Sequence, residues 1–231
     1  MQHAFTYYRR RDKITVELHW RLYDRYLSFP LSDRELWANI GFTDVFGARL
    51  RCLKPEHNFI FLCMHGAKHF WDRVEWISCL NALACSQPAS RIPLIVAEAA
   101  RLRSTRLLSL GLTLADQLSP CPGTQRFLRA MRLDPVVGEL ATTVWQHIFA
   151  DELSGWNKEV YRSRFYMKAR EYLWDRLRLV WSATVRIPPP QSSAWNERSL
   201  PESALFLYYV LRPIGLLRKV GLQGLRGVLR T

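Results

Sequence analysis

Phe59-Ile-Phe-Leu-Cys-Met-His-Gly-Ala-Lys-His-Phe-Trp-Asp-Arg-Val-Glu-Trp-Ile-Ser-Cys-Leu-Asn-Ala-Leu83 repeats apolar residues at helical spacing and predicts one long helix, with Gly66 tolerated inside it. At about 100° per residue, His65, His69 and Asp72 fall within about 60° of arc on such a helix. They lie beside an apolar face of Leu62, Cys63, Phe70, Val74 and Ile77. Three roles are open for this face. The imidazoles can cap or bridge between helices, with Asp72 orienting one of them. They can contact a phosphate or another substrate group. Two His one turn apart with a following acid can also hold a divalent metal. A zinc-peptidase helix is excluded, because its general-base Glu would stand at position 66, which is Gly. Lys68 and Arg73 lie off the face and add positive charge nearby.

Toward the N-terminus the period changes from helical to two. Phe5, Tyr7 and Tyr8 form an aromatic, β-prone run, Arg9 to Lys13 reads as a charged turn, and Ile14-Thr-Val-Glu-Leu-His19 alternates. The spacing predicts a hairpin over 3–18. Ile14, Val16 and Leu18 share one face, so Glu17 and His19 project together from the other. Trp20 to Trp37 reads as a connector, in which Ser32-Asp-Arg-Glu35 is a capping box for a short helix ending at Ala38. A second small β element is expected over 43–53.

Beyond Lys54 the chain reads as helical. Pro55-Glu56 suits a first turn. Further helices are predicted over 90–104, 106–118, 125–131, 135–149 and 156–184, with breaks at Pro120-Cys-Pro-Gly123 and at Pro188-Pro-Pro-Gln-Ser-Ser193. A final helix starts at Leu205 and is interrupted or bent by Pro213. The expected class is therefore mainly α within an α+β fold: an N-terminal hairpin and connector over 1–53, a helical domain over 54–187, and a Pro-rich loop with a basic tail over 188–231.

The 231 residues are 48% hydrophobic and 13% aromatic with nine Trp, which is the composition of a folded chain rather than a disordered one. Net charge is +13, carried largely by Arg. Such a surface favours phosphate-bearing partners or an anionic membrane, although the arginines are spread rather than clustered. The five Cys have no CxxC spacing, which argues against a disulfide framework or a structural zinc site. Cys63 and Cys79 read as core residues. No apolar stretch approaches the ~20 residues that span a bilayer, and Arg9-Arg10-Arg11 interrupts any signal-like run, so a cytoplasmic location is expected. After Glu202 the chain has Arg212, Arg218, Lys219, Arg226 and Arg230 but no acid. That tail reads either as a docked terminal segment or as a basic amphipathic segment on an anionic membrane surface. His3, His57 and His147 are isolated in sequence and read as structural or exposed.

Three stretches together resemble a bacterial family of uncharacterised nucleotidyltransferases of the polymerase-β-like superfamily. They are Val16-Glu-Leu-His-Trp20; Leu53-Lys-Pro-Glu56 with His65-Gly-Ala-Lys-His69 and Trp71-Asp-Arg-Val-Glu-Trp76; and Leu200-Pro201 with Leu207-Tyr-Tyr209 and Arg212-Pro213. The resemblance implies transfer of a nucleotidyl group from an NTP, with Mg²⁺, to an unknown acceptor. It makes the hairpin a remnant of the catalytic sheet. It makes Glu17 a catalytic carboxylate and Mg²⁺ ligand, and it makes His19, His65, Lys68, His69 and Asp72 candidates for nucleotide or acceptor binding. The family's Gly-Ser turn and paired Asp residues have no counterpart in this chain, Cys79 stands where the family tends to carry Asp, and the acid before Leu200-Pro201 is displaced, with Asn196-Glu197 in its region. One carboxylate cannot hold the ions such transfer needs. The expectation is an N-terminally truncated member, inactive or incomplete as this chain. The alternative is a non-catalytic helical binding or scaffold protein with a basic surface for an acidic partner or membrane. The open edge of the hairpin also suggests homo-oligomer formation.

Overall fold

The computed structural model describes residues 4–19, 31–132, 134–149, 162 and 164–178. The chain divides into two units, Met1–Arg176 and Leu177–Thr231, and of the second only residues 177 and 178 are described. The Pro-rich loop, the last helix and the basic tail lie outside the described residues.

Two antiparallel hairpins precede a set of helices, an α+β arrangement in the order the sequence predicts. Strands β1 (Ala4–Arg9) and β2 (Ile14–His19) pair with Tyr7 opposite Val16 and Thr6 opposite Glu17. The register places Glu17 and His19 on the same face, as the alternation requires. The apolar face is not covered: Phe5, Tyr7, Ile14, Val16 and Leu18 are all exposed. Helix α1 (Asp33–Ala38) is capped by Ser32, whose hydroxyl accepts from the Glu35 amide at 3.1 Å. Strands β3 (Ile40–Val45) and β4 (Ala48–Leu53) form the second hairpin. Its tip, Phe46-Gly47, has φ of 49° and 81°, the positive pair that a two-residue type I′ turn demands.

The helices are α2 (Pro55–Lys68), α3 (Val74–Ser86), α4 (Ile92–Arg101, after a 3-10 turn), α5 (Thr105–Leu118), α6 (Pro122–Ala130) and α7 (Pro135–Phe149). Helix α5 is the hub, packing against α2, α3, α4, α6 and α7. Leu107, Leu108, Leu110, Leu112, Leu114 and Ala115 are buried around its circumference, the pattern of a helix enclosed on all sides. Gly111 lets neighbours approach closely. A Cβ there would lie 2.7 Å from Leu80 and 2.8 Å from the Cys63 sulfur.

The single helix expected over 59–83 is two helices. Helix α2 ends in a Schellman motif: the Trp71 amide donates to Gly66 O at 2.7 Å and the Phe70 amide to Ala67 O at 3.0 Å. Phe70 and Trp71 take φ of 57° and 54°, a left-handed backbone that glycine usually supplies. That conformation is offset by burial of both rings, with Phe70 at 1% and Trp71 at 0% exposure. Gly66 makes room for the second ring, since a Cβ at that position would stand 2.6 Å from the indole.

The helix expected over 156–184 is interrupted at residues 170–172, between described helical stretches 164–169 and 173–178. Cys79 is exposed rather than in the core, whereas Cys63 is buried. Cys85 and Cys121 form a disulfide, joining the end of α3 to the start of α6. Spacing did not suggest that pair. Its cause is the close approach of the two helices at Gly123, where a Cβ would lie 2.3 Å from Ala84 O. His57 and His147 each have an acidic partner distant in sequence. His57 is buried with Nε2 2.8 Å from Glu98, and Glu98 is also held by Arg101, which reaches Glu35 of α1 at 2.6 Å.

Candidate functional site

The corner where α2 meets α3 collects most of the residues singled out from the sequence. His65 lies on the last turn of α2 and His69 caps it. Their ring centroids are 4.7 Å apart. Trp76, on the first turn of α3, closes the group with its ring 5.1 Å from His65, edge on, and 5.4 Å from His69. Phe61 extends the row at 5.8 Å from His65. Trp76 ends the Trp71-Asp-Arg-Val-Glu-Trp76 stretch, and local spacing alone gives it no role. Its place here depends on the break between the helices, which folds α3 back beside the end of α2.

Asp72 does not share the face of His65 and His69. It sits in the turn, and its carboxylate is bound by His147 Nε2 at 2.6 Å and Arg162 at 2.9 Å. Phe70 packs on the other side of the same imidazole, centroid to centroid 4.5 Å. Asp72 therefore orients an imidazole, but that of His147, from α7. Neither His147 nor Arg162 could be found from local pattern, because they are 75 and 90 residues from Asp72. Lys68 ends α2, and its carbonyl accepts from the Tyr166 hydroxyl.

Burial holds the His69 pKa below its ordinary value. Lys68 and Arg162 push the same way, whereas the carboxylates of Asp72 and Glu17 oppose them. The β1–β2 hairpin thus brings Glu17 within electrostatic range of the α2 terminus. His19 ends β2, and its side chain lies outside the described residues. The arrangement is a shelf of flat rings, flanked by cations and one strand carboxylate. Such a shelf can stack a base and offer hydrogen bonds to hydroxyl or phosphate oxygens.

Mg²⁺ prefers an octahedron of oxygens, commonly one or two carboxylates plus substrate phosphates. Among the described residues no three His, Cys, Asp or Glu side chains converge as metal ligands. Asp72 is already engaged by His147 and Arg162, which leaves Glu17 as the strand carboxylate at this corner. The donor set described here does not fit a two-ion centre.

Residues 2–120 match the family described as uncharacterised nucleotidyltransferase. The chain belongs to that family. The nucleotidyltransferase match takes in both hairpins and α1 to α5, so Glu17, His65, Lys68, His69, Asp72 and Trp76 all fall inside it. His147 and Arg162 fall beyond it, and Asp72 joins the two parts. No curated protein and no solved structure matches the chain. Among the described residues no helix is long and apolar enough to cross a membrane.

Proposed function

We propose that this nucleotidyltransferase-family chain binds the nucleotide or the acceptor of a nucleotidyl transfer at the α2–α3 corner. His65, His69 and Trp76 supply the stacking surface, and Lys68 supplies charge for phosphate, with Asp72 acting through the turn it holds. Glu17, on β2 and within electrostatic range of His69, serves as the carboxylate toward a bound metal–nucleotide, and His19 follows it on the same strand. Transfer itself requires further carboxylates beyond those the described residues bring there. The observation that carries the reading is the meeting of the His65, His69 and Trp76 rings at the α2–α3 corner, inside the matched family region.

Titration calorimetry of the full chain with NTPs, with and without Mg²⁺, tests it. Millimolar or tighter binding is expected, weakened about tenfold by His69→Ala through loss of one stacking and hydrogen-bonding partner. Glu17→Ala is expected to remove the Mg²⁺ dependence. No heat at millimolar NTP, unaltered by either substitution, would overturn the proposal.

A further inference from the structure

The second hairpin stands out from the helices with both faces of its distal half exposed, residues 42–51. One of those faces carries Phe42 beside Arg49 and Arg51, with Asp44 among them. Phe42 is opposite Arg51 in the strand register, and Asp44 is opposite Arg49. The Arg49 guanidinium lies over the Phe42 ring, 4.7 Å from its centroid. Phe42 is 56% exposed, and Phe46 at the tip is fully exposed. Val45 and Leu50 are exposed as well, and such a concentration of apolar groups on one short hairpin marks an interaction surface. The first hairpin repeats the chemistry on its own residues: Phe5, Tyr7 and Tyr8 are exposed, and the turn carries Arg10, Arg11 and Lys13. Arg9 and Arg11 there are both paired with the turn acid, Asp12.

We propose that the β3–β4 hairpin is a docking surface for single-stranded nucleic acid. Phe42 and Phe46 stack on unpaired bases, and Arg49 and Arg51 contact the phosphates between them. Exposed rings interleaved with cations suit a strand whose base faces are free. A duplex hides those faces within its own stack, so it can use the cations alone. Asp44 shares the face with Phe42 and opposes phosphate of a strand and of a lipid headgroup alike, so competition by vesicles separates the two occupants. The net charge of +13 adds long-range attraction for a polyanion. The proposal stands on the hairpin and does not depend on nucleotide binding at the α2–α3 corner.

Fluorescence anisotropy with a labelled single-stranded uridine dodecamer and the full chain, over a range of salt, tests it. Phe42→Ala is expected to weaken binding about tenfold while leaving the salt dependence intact. Arg49→Gln with Arg51→Gln is expected to lower the slope of log affinity against log salt by about 1.4, the change for losing two single-strand phosphate contacts. These side chains are on the surface, and circular dichroism confirms that the variants fold. Equal affinity for a duplex of the same length would overturn the proposal. So would wild-type affinity in Phe42→Ala, or competition by phosphatidylserine vesicles that persists in that variant.

Discussion

Asp72 Oδ1 lies 2.6 Å from His147 Nε2, although the two residues are 75 apart in sequence. The contact pins the turn between α2 and α3 to α7 and so sets where His65, His69 and Trp76 meet. Arg162 holds the second carboxylate oxygen at 2.9 Å. Both partners are partly exposed, with His147 at 14% and Asp72 at 34%, so solvent moderates the pair. A double-mutant cycle of Asp72→Ala and His147→Ala, read by urea unfolding, is expected to give a coupling of about 0.5–1 kcal/mol. A coupling near zero would remove Asp72 as the clamp of this turn.

Gly66→Ala sets helix propensity against packing. Propensity alone favours Ala by about 1 kcal/mol. The new Cβ would stand 2.6 Å from the Trp71 ring, which is fully buried and cannot move aside. Net destabilisation of about 1–3 kcal/mol is expected. In a Trp71→Leu background the same change should become neutral or stabilising. If both backgrounds respond alike, the ring contact is not the cause.

His69 gives the stability a definite pH dependence. Its folded pKa is below the ordinary value of 6.5. The unfolded chain therefore takes up the proton first as pH falls. The stabilising contribution is complete above about 6.5 and is lost as pH drops through the lower folded value. Unfolding free energy measured from pH 7.5 to 5 should decline, and His69→Gln should flatten part of that decline. Nucleotide binding at the corner should follow the same window.

Glu171 gives the opposite sign. Burial raises its pKa, while the Arg106 amide that donates to its carboxylate works against the shift. Its folded form thus favours the proton, and its stabilising contribution, present below the ordinary value of 4.5, fades as pH rises through the folded value. Glu171→Gln keeps a carbonyl acceptor for the Arg106 amide and removes the buried charge. The variant is expected to be at least as stable as the parent at pH 7 by thermal unfolding. A clear loss would show that the charge itself is needed against Arg106.

The Cys85–Cys121 disulfide closes a loop of 36 residues in sequence separation. By chain entropy that constraint contributes about 3–4 kcal/mol. Unfolding in the presence of dithiothreitol, or of Cys85→Ala with Cys121→Ala, should show a loss of this order. An unchanged midpoint would mean that the helices α3 and α6 are held by packing alone.

Local chemistry made much of the architecture legible. Ser32 and Glu35 announced α1, Pro55 announced α2, and Pro135 with the following apolar pattern bounded α7 at Phe149. The first hairpin and the face that holds Glu17 followed from an alternation of period two, and the three family-like stretches carried the family. Each of these depends on residues within a few positions of one another. The apolar rhythm from Phe59 to Leu83, by contrast, is continuous across a break. Left-handed Phe70 and Trp71 oppose every local preference and persist because a cavity beside Gly66 and Gly111 takes the Trp71 ring. The same holds for Asp72 with His147 and for Cys85 with Cys121. The sequence alone determined the kinds of element, their order and the family. Tertiary packing alone decided which distant side chains meet, because burying large rings outweighs a strained turn and brings together groups that no local spacing relates.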